Sequence, residues 1–244
     1  MKPHQMLTMI GLLSLSGIAT AAAQQNAEQL KQHVVTQAQT LNPDDFAFTR
    51  TTRSEAKWNS RTFKNVTVEE FDPTKPADAR WTLVSVDDAR PSAARLAKYR
   101  KQAAKRRVVP GYHRIANYFG APATAATEAD GTTLFRFDSL PKGSVSILEK
   151  DLSKIASAEV AVAQTDGTPF VEQVRFTVIP KRPQILFRIH GYETTLRYRI
   201  GAGGKPFLAA STSDMSGSGL GLKGTLHTAM TYSDYQPVRH SHQP

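Results

Sequence analysis

Apolar residues follow two periods along the chain, and each period predicts a different kind of element. Leu30, Val34 and Ala38 recur at every fourth position, which predicts a helix over residues 28–40 that stops at Pro43. From residue 45 onward the period shortens to two, and this alternation predicts β-strands. The pattern therefore indicates one leading helix followed mainly by strands.

Ten segments carry the strand pattern, with residues typical of turns between them. They are residues 45–53, 62–71, 81–86, 132–138, 158–164, 170–179, 185–189, 194–200, 207–212 and 224–234. Short turns at Asp166-Gly167, His190-Gly191 and residues 201–204 predict antiparallel hairpins, since parallel neighbours need a long crossover. We expect an α+β, mainly β protein with one large curled antiparallel sheet, an incomplete β-barrel of about nine to eleven strands.

The strand pattern is interrupted once, after the third strand. Residues 93–108 follow Pro91-Ser92 and have high helix propensity, and a second short helical piece is predicted at residues 115–118. Residues 120–130 are rich in Ala and Thr and are predicted to be a loop. Together residues 91–119 form a helical insertion that we expect to cover the concave side of the sheet as a lid. A curled sheet under such a lid encloses a cavity suited to an apolar ligand.

The N-terminus has the features of a secretory signal peptide. Lys2 precedes an apolar run at residues 6–18, and Ala21-Ala22-Ala23 supplies the small residues that a signal peptidase requires. Cleavage is expected after Ala23, which leaves a soluble periplasmic protein with a domain at residues 24–236 and a flexible tail at 237–244. No other segment is long and apolar enough to span a bilayer.

Composition narrows the possible chemistry, and the location of the charge narrows it further. The 244 residues include no cysteine, which excludes disulfides and cysteine-ligated metal sites, and the net charge is +10. Residues 89–127 hold nine Lys and Arg residues and no acidic residue. With Lys2 assigned to the signal peptide, these nine account for the whole excess of basic residues in the remaining chain.

The helix at residues 93–108 carries most of this charge, and its role is open between two interpretations. Its apolar stripe is Leu96, Tyr99 and Ala103, and its lysines are expected nearly opposite that stripe. The lysines are either a solvated outer face or a surface that docks on an anionic membrane or an acidic envelope protein. The predicted docking residues are Arg95, Lys98, Lys101, Lys105 and Arg106. No nucleic-acid partner is expected, because no recognised nucleic-acid-binding motif is present.

The sequence contains no recognisable catalytic or cofactor motif. HExxH, GxSxG and a phosphate-binding loop are absent, and the seven histidines have no metal-ligand spacing. Adjacent acidic pairs such as Glu69-Glu70 and Asp87-Asp88 would point to opposite faces of a strand, so they do not form an acid–base pair. We therefore expect no enzyme activity, cofactor or metal, although a hydrolase site assembled from distant residues is the alternative.

Large apolar residues that alternate within the strands are candidates to line the cavity. They are Phe46, Phe48, Trp81, Leu83, Phe135, Phe137, Phe176 and Phe187. The same residues could instead fill an ordinary core, and the pattern does not distinguish a lined cavity from a filled one.

The order of elements and several short phrases resemble the LolA/LolB-like lipoprotein-carrier superfamily, which includes RseB-type periplasmic sensors. The phrases are residues 45–51 (DFAFTRT), 81–87 (WTLVSVD), 90–92 (RPS) and 232–235 (YSDY). The resemblance covers most of residues 27–236, and is greatest to a branch of exported proteobacterial proteins. It implies an incomplete β-barrel, closed by helices, that carries lipid or lipoprotein acyl chains.

The sequence supports two hypotheses about function. The first is a non-enzymatic periplasmic carrier or sensor that binds acyl chains against the strand aromatics, where burial of each CH₂ contributes about 0.8 kcal/mol. The second is an envelope protein-interaction or stress-sensing module whose core is filled by its own side chains and which binds no lipid.

Overall fold

A computed structural model of the chain describes residues 13–103, 109–119, 123–147, 150–178, 187–219 and 222–238. The protein is mainly β, and ten strands form one antiparallel sheet that does not close on itself. One α-helix precedes the first strand and another follows the third strand. This arrangement confirms the predicted fold class, including the position of the helical insertion.

The helices are few, and most of the described chain is strand. The α-helices are α1 (Leu13–Gln39) and α2 (Ala93–Ala103), and short 3₁₀ helices cover Tyr112–Asn117, Ser153–Ile155 and Ala202–Gly204. The strands are β1 (Phe46–Trp58), β2 (Arg61–Phe71), β3 (Trp81–Val86), β4 (Thr124–Thr127), β5 (Thr133–Phe137), β6 (Ser146–Ile147), β7 (Lys150–Asp151), β8 (Ala156–Thr165), β9 (Thr168–Val178), β10 (Phe187–Ile200), β11 (Pro206–Gly219) and β12 (Leu222–Pro237).

The large sheet has the strand order β3-β2-β1-β12-β11-β10-β9-β8-β5-β4, and β6 pairs with β7 in a small separate sheet. Most neighbours in the sheet are also neighbours in the chain. The pairing of β1 with β12 is different, because it joins the first strand to the last one. The two edge strands are short, with six residues in β3 and four in β4, which limits the backbone available for pairing with other molecules.

One predicted turn is instead a bulge inside a strand. Residues 185–189 and 194–200 were expected to be two strands joined at His190-Gly191, whereas β10 runs without interruption from Phe187 to Ile200. Its register against β11 shifts between Ile189 and Gly191. The turn prediction was wrong because glycine in a strand also serves bulges, which keep the strand going after a local kink.

Other predicted boundaries also differ from the structure. Residues 120–130, predicted to be a loop, contain β4, an edge strand of small residues without alternation. The first helix begins at Leu13 rather than at residue 28, although its predicted stripe is correct, since Val34 and Ala38 are fully buried. The second helical piece is a 3₁₀ helix that starts three residues earlier than predicted, at Tyr112.

Tyr112 connects α1 to the sheet. Its hydroxyl donates to Gln37 Oε1 at 2.9 Å and accepts the backbone N–H of Val171 at 2.8 Å. Val171 lies beside a bulge in the β8–β9 pairing, where the regular ladder of hydrogen bonds is disrupted. Burial raises the pKa of the Tyr112 phenol, so the hydroxyl stays protonated and can serve both partners.

The part of the sheet formed by β5, β8 and β9 is covered by the protein's own side chains. Phe119 packs edge-on against Phe135 and Phe137, with ring centroids 5.7 and 5.3 Å apart. Tyr118 packs in the same way against Phe176 at 4.9 Å. All five side chains are at most 5% exposed. The segment that follows the 3₁₀ helix therefore fills this half of the inner face.

Candidate ligand-binding cavity

An open cavity of about 660 Å³ lies between α2 and the inner face of β1, β2, β3 and β12. Its volume is within the range of roughly 300–1,000 Å³ that is typical of small-molecule sites. The floor is formed by Arg50, Thr52, Thr67, Glu69, Leu83 and Met230, and the roof by Ala94, Arg95, Lys98, Tyr99 and Gln102. The lining is both polar and apolar, which suits an amphiphilic ligand.

The antiparallel register assembles the floor from strands that are far apart in sequence. Arg50 lies opposite Glu69 across β1 and β2, and Thr52 lies opposite Thr67. On the other side of β1, Met230 of β12 is the partner of Thr52. Because residues two apart on a strand share a face, Arg50 and Thr52 both point towards α2.

A buried ion pair stands at the centre of the floor. Arg50 Nε and Nη2 both donate to Glu69 Oε2, at 2.9 and 2.6 Å, and the two side chains are 12% and 5% exposed. The Arg50 guanidinium also lies 4.2 Å from the centre of the Trp81 ring, within range of a cation–π interaction. Burial raises the pKa of the neighbouring Tyr232 phenol, and Arg50 opposes that rise. The positive charge of Arg50 is thus balanced within the floor by Glu69.

The roof adds positive charge that the floor does not balance. Ala94, Arg95, Lys98, Tyr99 and Gln102 fall on one side of α2 because they recur at intervals of one helical turn. Tyr99 is buried, while Arg95 and Lys98 are exposed at the mouth of the cavity. Neither cation has an ion pair in the part of the chain that the structure describes. The mouth therefore has a net positive charge.

A row of apolar side chains crosses the inner face beyond the cavity. This apolar row consists of directly paired residues on six strands, namely Phe63, Ala56, Leu226, Met215, Tyr192 and Val178. Ala56 shares the face of Arg50 and Thr52, because an even number of residues separates them on β1. Phe63 is 57% exposed and the four central members are half-buried. Ala56 lies six positions after Arg50 on β1, which corresponds to about 20 Å of strand.

The predicted cavity residues fall into separate groups. Leu83 lines the cavity floor. Phe48 and Trp81 pack against each other at 5.7 Å, and Phe46 packs against Tyr235 at 5.9 Å, so these three belong to an aromatic cluster on β1, β3 and β12.

The remaining predicted residues lie elsewhere in the sheet. Phe135, Phe137 and Phe176 are in the filled half, beneath Tyr118 and Phe119. Phe187 opens β10, and its side chain is outside the described residues. The structure thus places one of the eight in the open cavity, and a ligand contact for the others stays a prediction.

The predicted docking residues are also divided. Arg95 and Lys98 line the cavity roof, and Lys101 is exposed on α2. Lys105 and Arg106 are outside the described residues. Lys98 was expected nearly opposite the apolar stripe, yet it lies beside the buried Tyr99. Adjacent helix positions differ by only about 100°, so a long side chain next to the stripe can reach the cavity.

The remaining sequence candidates can be located within the described ranges. There, no three His, Asp or Glu side chains form a group that could hold a metal ion.

Glu69 is buried and Glu70 is exposed, which agrees with their predicted opposite orientation. Asp87 and Asp88, in contrast, lie in a turn with φ of 50° and 60° rather than on a strand. No helix within these ranges combines the length and apolar character that a membrane crossing needs.

Arg50 and Glu69 were missing from the predicted site, although the sequence contains a signal for them. Arg50 falls in phase with Phe46 and Phe48 on the predicted strand, and Glu69 falls in phase with Phe71. A charged residue at an inward position of a strand needs a buried partner. Which partner it has depends on strand register, and the sequence pattern alone does not specify that register.

Comparison with known proteins identifies a similar solved structure. No protein-family model matches the chain, and no curated protein matches it. A crystal structure of a LolA superfamily protein from Nitrosomonas europaea is similar at 13% sequence identity, over 86% of this chain and 94% of that chain, with a TM-score of 0.33.

Proposed function

We propose that the protein is an exported, periplasmic, non-enzymatic carrier or sensor that binds the acyl chain of a lipid or lipoprotein beneath α2. The observation that carries the proposal is the open cavity of about 660 Å³ between α2 and the inner face of the sheet. Beyond it, the apolar row extends the inner face with half-buried side chains. Such a surface gains from covering by an acyl chain, at about 0.8 kcal/mol for each buried CH₂.

The predicted signal peptide and the resemblance in element order support the same proposal. A soluble protein that is exported into the envelope encounters lipids and lipoproteins there. The absence of cysteine removes the residue to which a lipoprotein's own lipid is attached. This favours a soluble carrier or sensor over an anchored acceptor.

Native mass spectrometry of the protein purified without detergent tests the proposal. We expect a fraction of the protein to carry a mass adduct that dissociates as a lipid, and the lipid-free protein to take up a labelled fatty acid. A protein that co-purifies with no lipid and takes up neither fatty acid nor a lipopeptide would overturn it.

The filled half of the inner face supports a second candidate, an envelope protein-interaction module. Phe119 and Tyr118 occupy the space over β5, β8 and β9 that a ligand would otherwise take. A pull-down from envelope extract distinguishes the two. A stoichiometric protein partner without lipid favours the interaction module, and lipid in the purified protein favours the carrier.

A further inference from the structure

The cavity lining contains more charged side chains than a site for hydrocarbon alone needs. The described lining contains three cations, Arg50, Arg95 and Lys98, and one carboxylate, that of Glu69. Arg50 and Glu69 neutralise each other through their buried ion pair. Arg95 and Lys98 remain as positive charges at the mouth, so the electrostatic potential there favours an anion.

We propose that the ligand is a single-chain anionic amphiphile, such as a long-chain fatty acid, whose acid group is held by Arg95 and Lys98. This inference rests on the proposed function and specifies the ligand class of the same site. The charge-assisted hydrogen bonds of a carboxylate to Lys and Arg are about twice as strong as neutral ones. They orient the acid group at the mouth and leave the chain inside.

The path of the chain follows from the rows of the inner face. Leu83, Tyr99 and Met230 contact the first part of the chain inside the cavity. Between the cavity and the apolar row, the inner face carries small hydroxyl residues that form hydrogen bonds within the sheet. For example, Thr194 Oγ1 and Ser213 Oγ are 2.8 Å apart. The chain then reaches the apolar row, about 20 Å from Arg50 along β1.

The volume of the cavity and the positive charge at its mouth together select the class of ligand. A cavity of about 660 Å³ corresponds to one small-molecule ligand rather than to the several chains of a bulky lipid. A cationic amphiphile would be repelled by Arg95 and Lys98 at the mouth. A neutral amphiphile would keep the apolar contacts of its chain but would lack the charged contacts of an acid group with Arg95 and Lys98.

Binding measurements with compounds that share one chain test the head group. Palmitate, monopalmitoylglycerol and hexadecylamine are each titrated below their aggregation limits into the full-length exported protein, with acetate as the chainless anion. We expect palmitate to bind at least tenfold more tightly than monopalmitoylglycerol, and acetate to bind too weakly to compete. The preference for palmitate should shrink as ionic strength rises from about 0.01 M to about 1 M, because the Debye length falls from roughly 30 to roughly 3 Å.

Variants of the roof test the assigned residues. Arg95→Ala/Lys98→Ala should weaken palmitate binding at least tenfold and change monopalmitoylglycerol binding less than threefold. Arg100→Ala is the matched control, since Arg100 is exposed on the same helix and does not line the cavity. It should leave palmitate affinity within twofold of the parent. All three residues are exposed, so folding is not at risk, and circular dichroism verifies this.

Variants of the apolar row test the path of the chain. Met215→Gln keeps the size of the side chain and should weaken palmitate and monopalmitoylglycerol alike by threefold or more. Val84→Asn is the control, because Val84 is 41% exposed and lies outside the apolar row. It should change neither affinity.

The outcomes separate this inference from the proposed function. Equal affinity for palmitate and monopalmitoylglycerol, or unchanged palmitate binding in the roof variant, overturns the anionic head group and leaves the carrier proposal standing. Acetate binding as tightly as palmitate overturns the role of the chain. Failure of every acyl compound to bind overturns both proposals.

Discussion

At the scale of single residues, the cavity is defined by charges placed where a mainly apolar inner face would be expected. Arg50 and Glu69 lie in phase with buried phenylalanines, yet they are held together under α2. A buried ion pair contributes little net stability by itself, whereas removal of one partner leaves an uncompensated charge. The pair therefore makes the floor sensitive to substitution.

Glu69→Ala should lower the free energy of unfolding by about 3 kcal/mol, because Arg50 would stay buried without its carboxylate. Glu55→Ala is the control, since Glu55 pairs with Lys57 and Lys64 on the surface and solvent screens those pairs. Urea unfolding followed by tryptophan fluorescence measures both variants. Equal losses in the two variants would contradict the assigned role of the buried pair.

His113 should make the stability of the protein depend on pH. Burial, with a smaller effect from Arg114, lowers the pKa of the His113 imidazole below its ordinary value of 6.5. The unfolded chain then binds a proton more readily than the folded protein does, so stability falls as the pH drops below about 6.5. Urea unfolding at a series of pH values should show this slope, and His113→Gln should flatten it. An NMR titration that places the His113 pKa at or above 6.5 would refute the prediction.

At the scale of elements, α1 is attached to the sheet through a few specific contacts. Tyr112→Phe removes the hydroxyl that serves both Gln37 and the Val171 N–H. A buried N–H without a partner costs about 1–3 kcal/mol, and we expect a loss of that size in thermal or urea unfolding. Tyr192→Phe is the control, because in the described structure the Tyr192 hydroxyl makes no hydrogen bond. A loss no larger than the control's would argue against the bridge.

The β1–β12 pairing requires a glycine at one position. Trp58 lies opposite Gly224, and a Cβ built on Gly224 would overlap Trp58 Cε3. Gly224→Ala should therefore displace the indole and cost about 1–3 kcal/mol. Gly191→Ala is the control, as its Cβ would meet the Ser216 hydroxyl at an ordinary 3.6 Å. Urea unfolding and the fluorescence of Trp58 report the result, and equal stability in both variants would contradict it.

The sequence predicts elements well where a strand is bounded by turns and buried on one face. The strand over residues 81–86 has the predicted limits, because Trp81, Leu83 and Val86 are buried against α2 and the aromatic cluster. The limits of β10 and β4 were missed for different reasons. A bulge at Gly191 looks like a turn, and the small residues of β4 carry no alternation.

The site was less predictable than the fold, because it depends on register. Sequence alternation places Arg50 and Glu69 on inward faces, but only the pairing of β1 with β2 brings them together. The same holds for Ala56, Leu226 and Met215, which become one row only once three strands are aligned.

At the scale of the whole molecule, the inner face has a filled half and an open half. Hydrogen exchange should reveal this difference, because local opening needs less free energy where fewer apolar side chains are buried. We expect the slowest exchange in β8 and β9, whose inward valines are at most 1% exposed, and faster exchange in β2 and β3. Mass spectrometry of deuterated peptides measures it. Uniform protection across the sheet would contradict the division.

The pairing of the first strand with the last one has a consequence for the order of assembly. The cavity floor needs Met230 of β12 beside Thr52 of β1, so it cannot form until β12 has left the ribosome. Until then, β1 keeps a long unpaired edge, and contacts between such distant segments form slowly. A nascent chain that does not yet contain β12 therefore lacks the complete cavity floor, and the cavity arises only once β1 and β12 have paired.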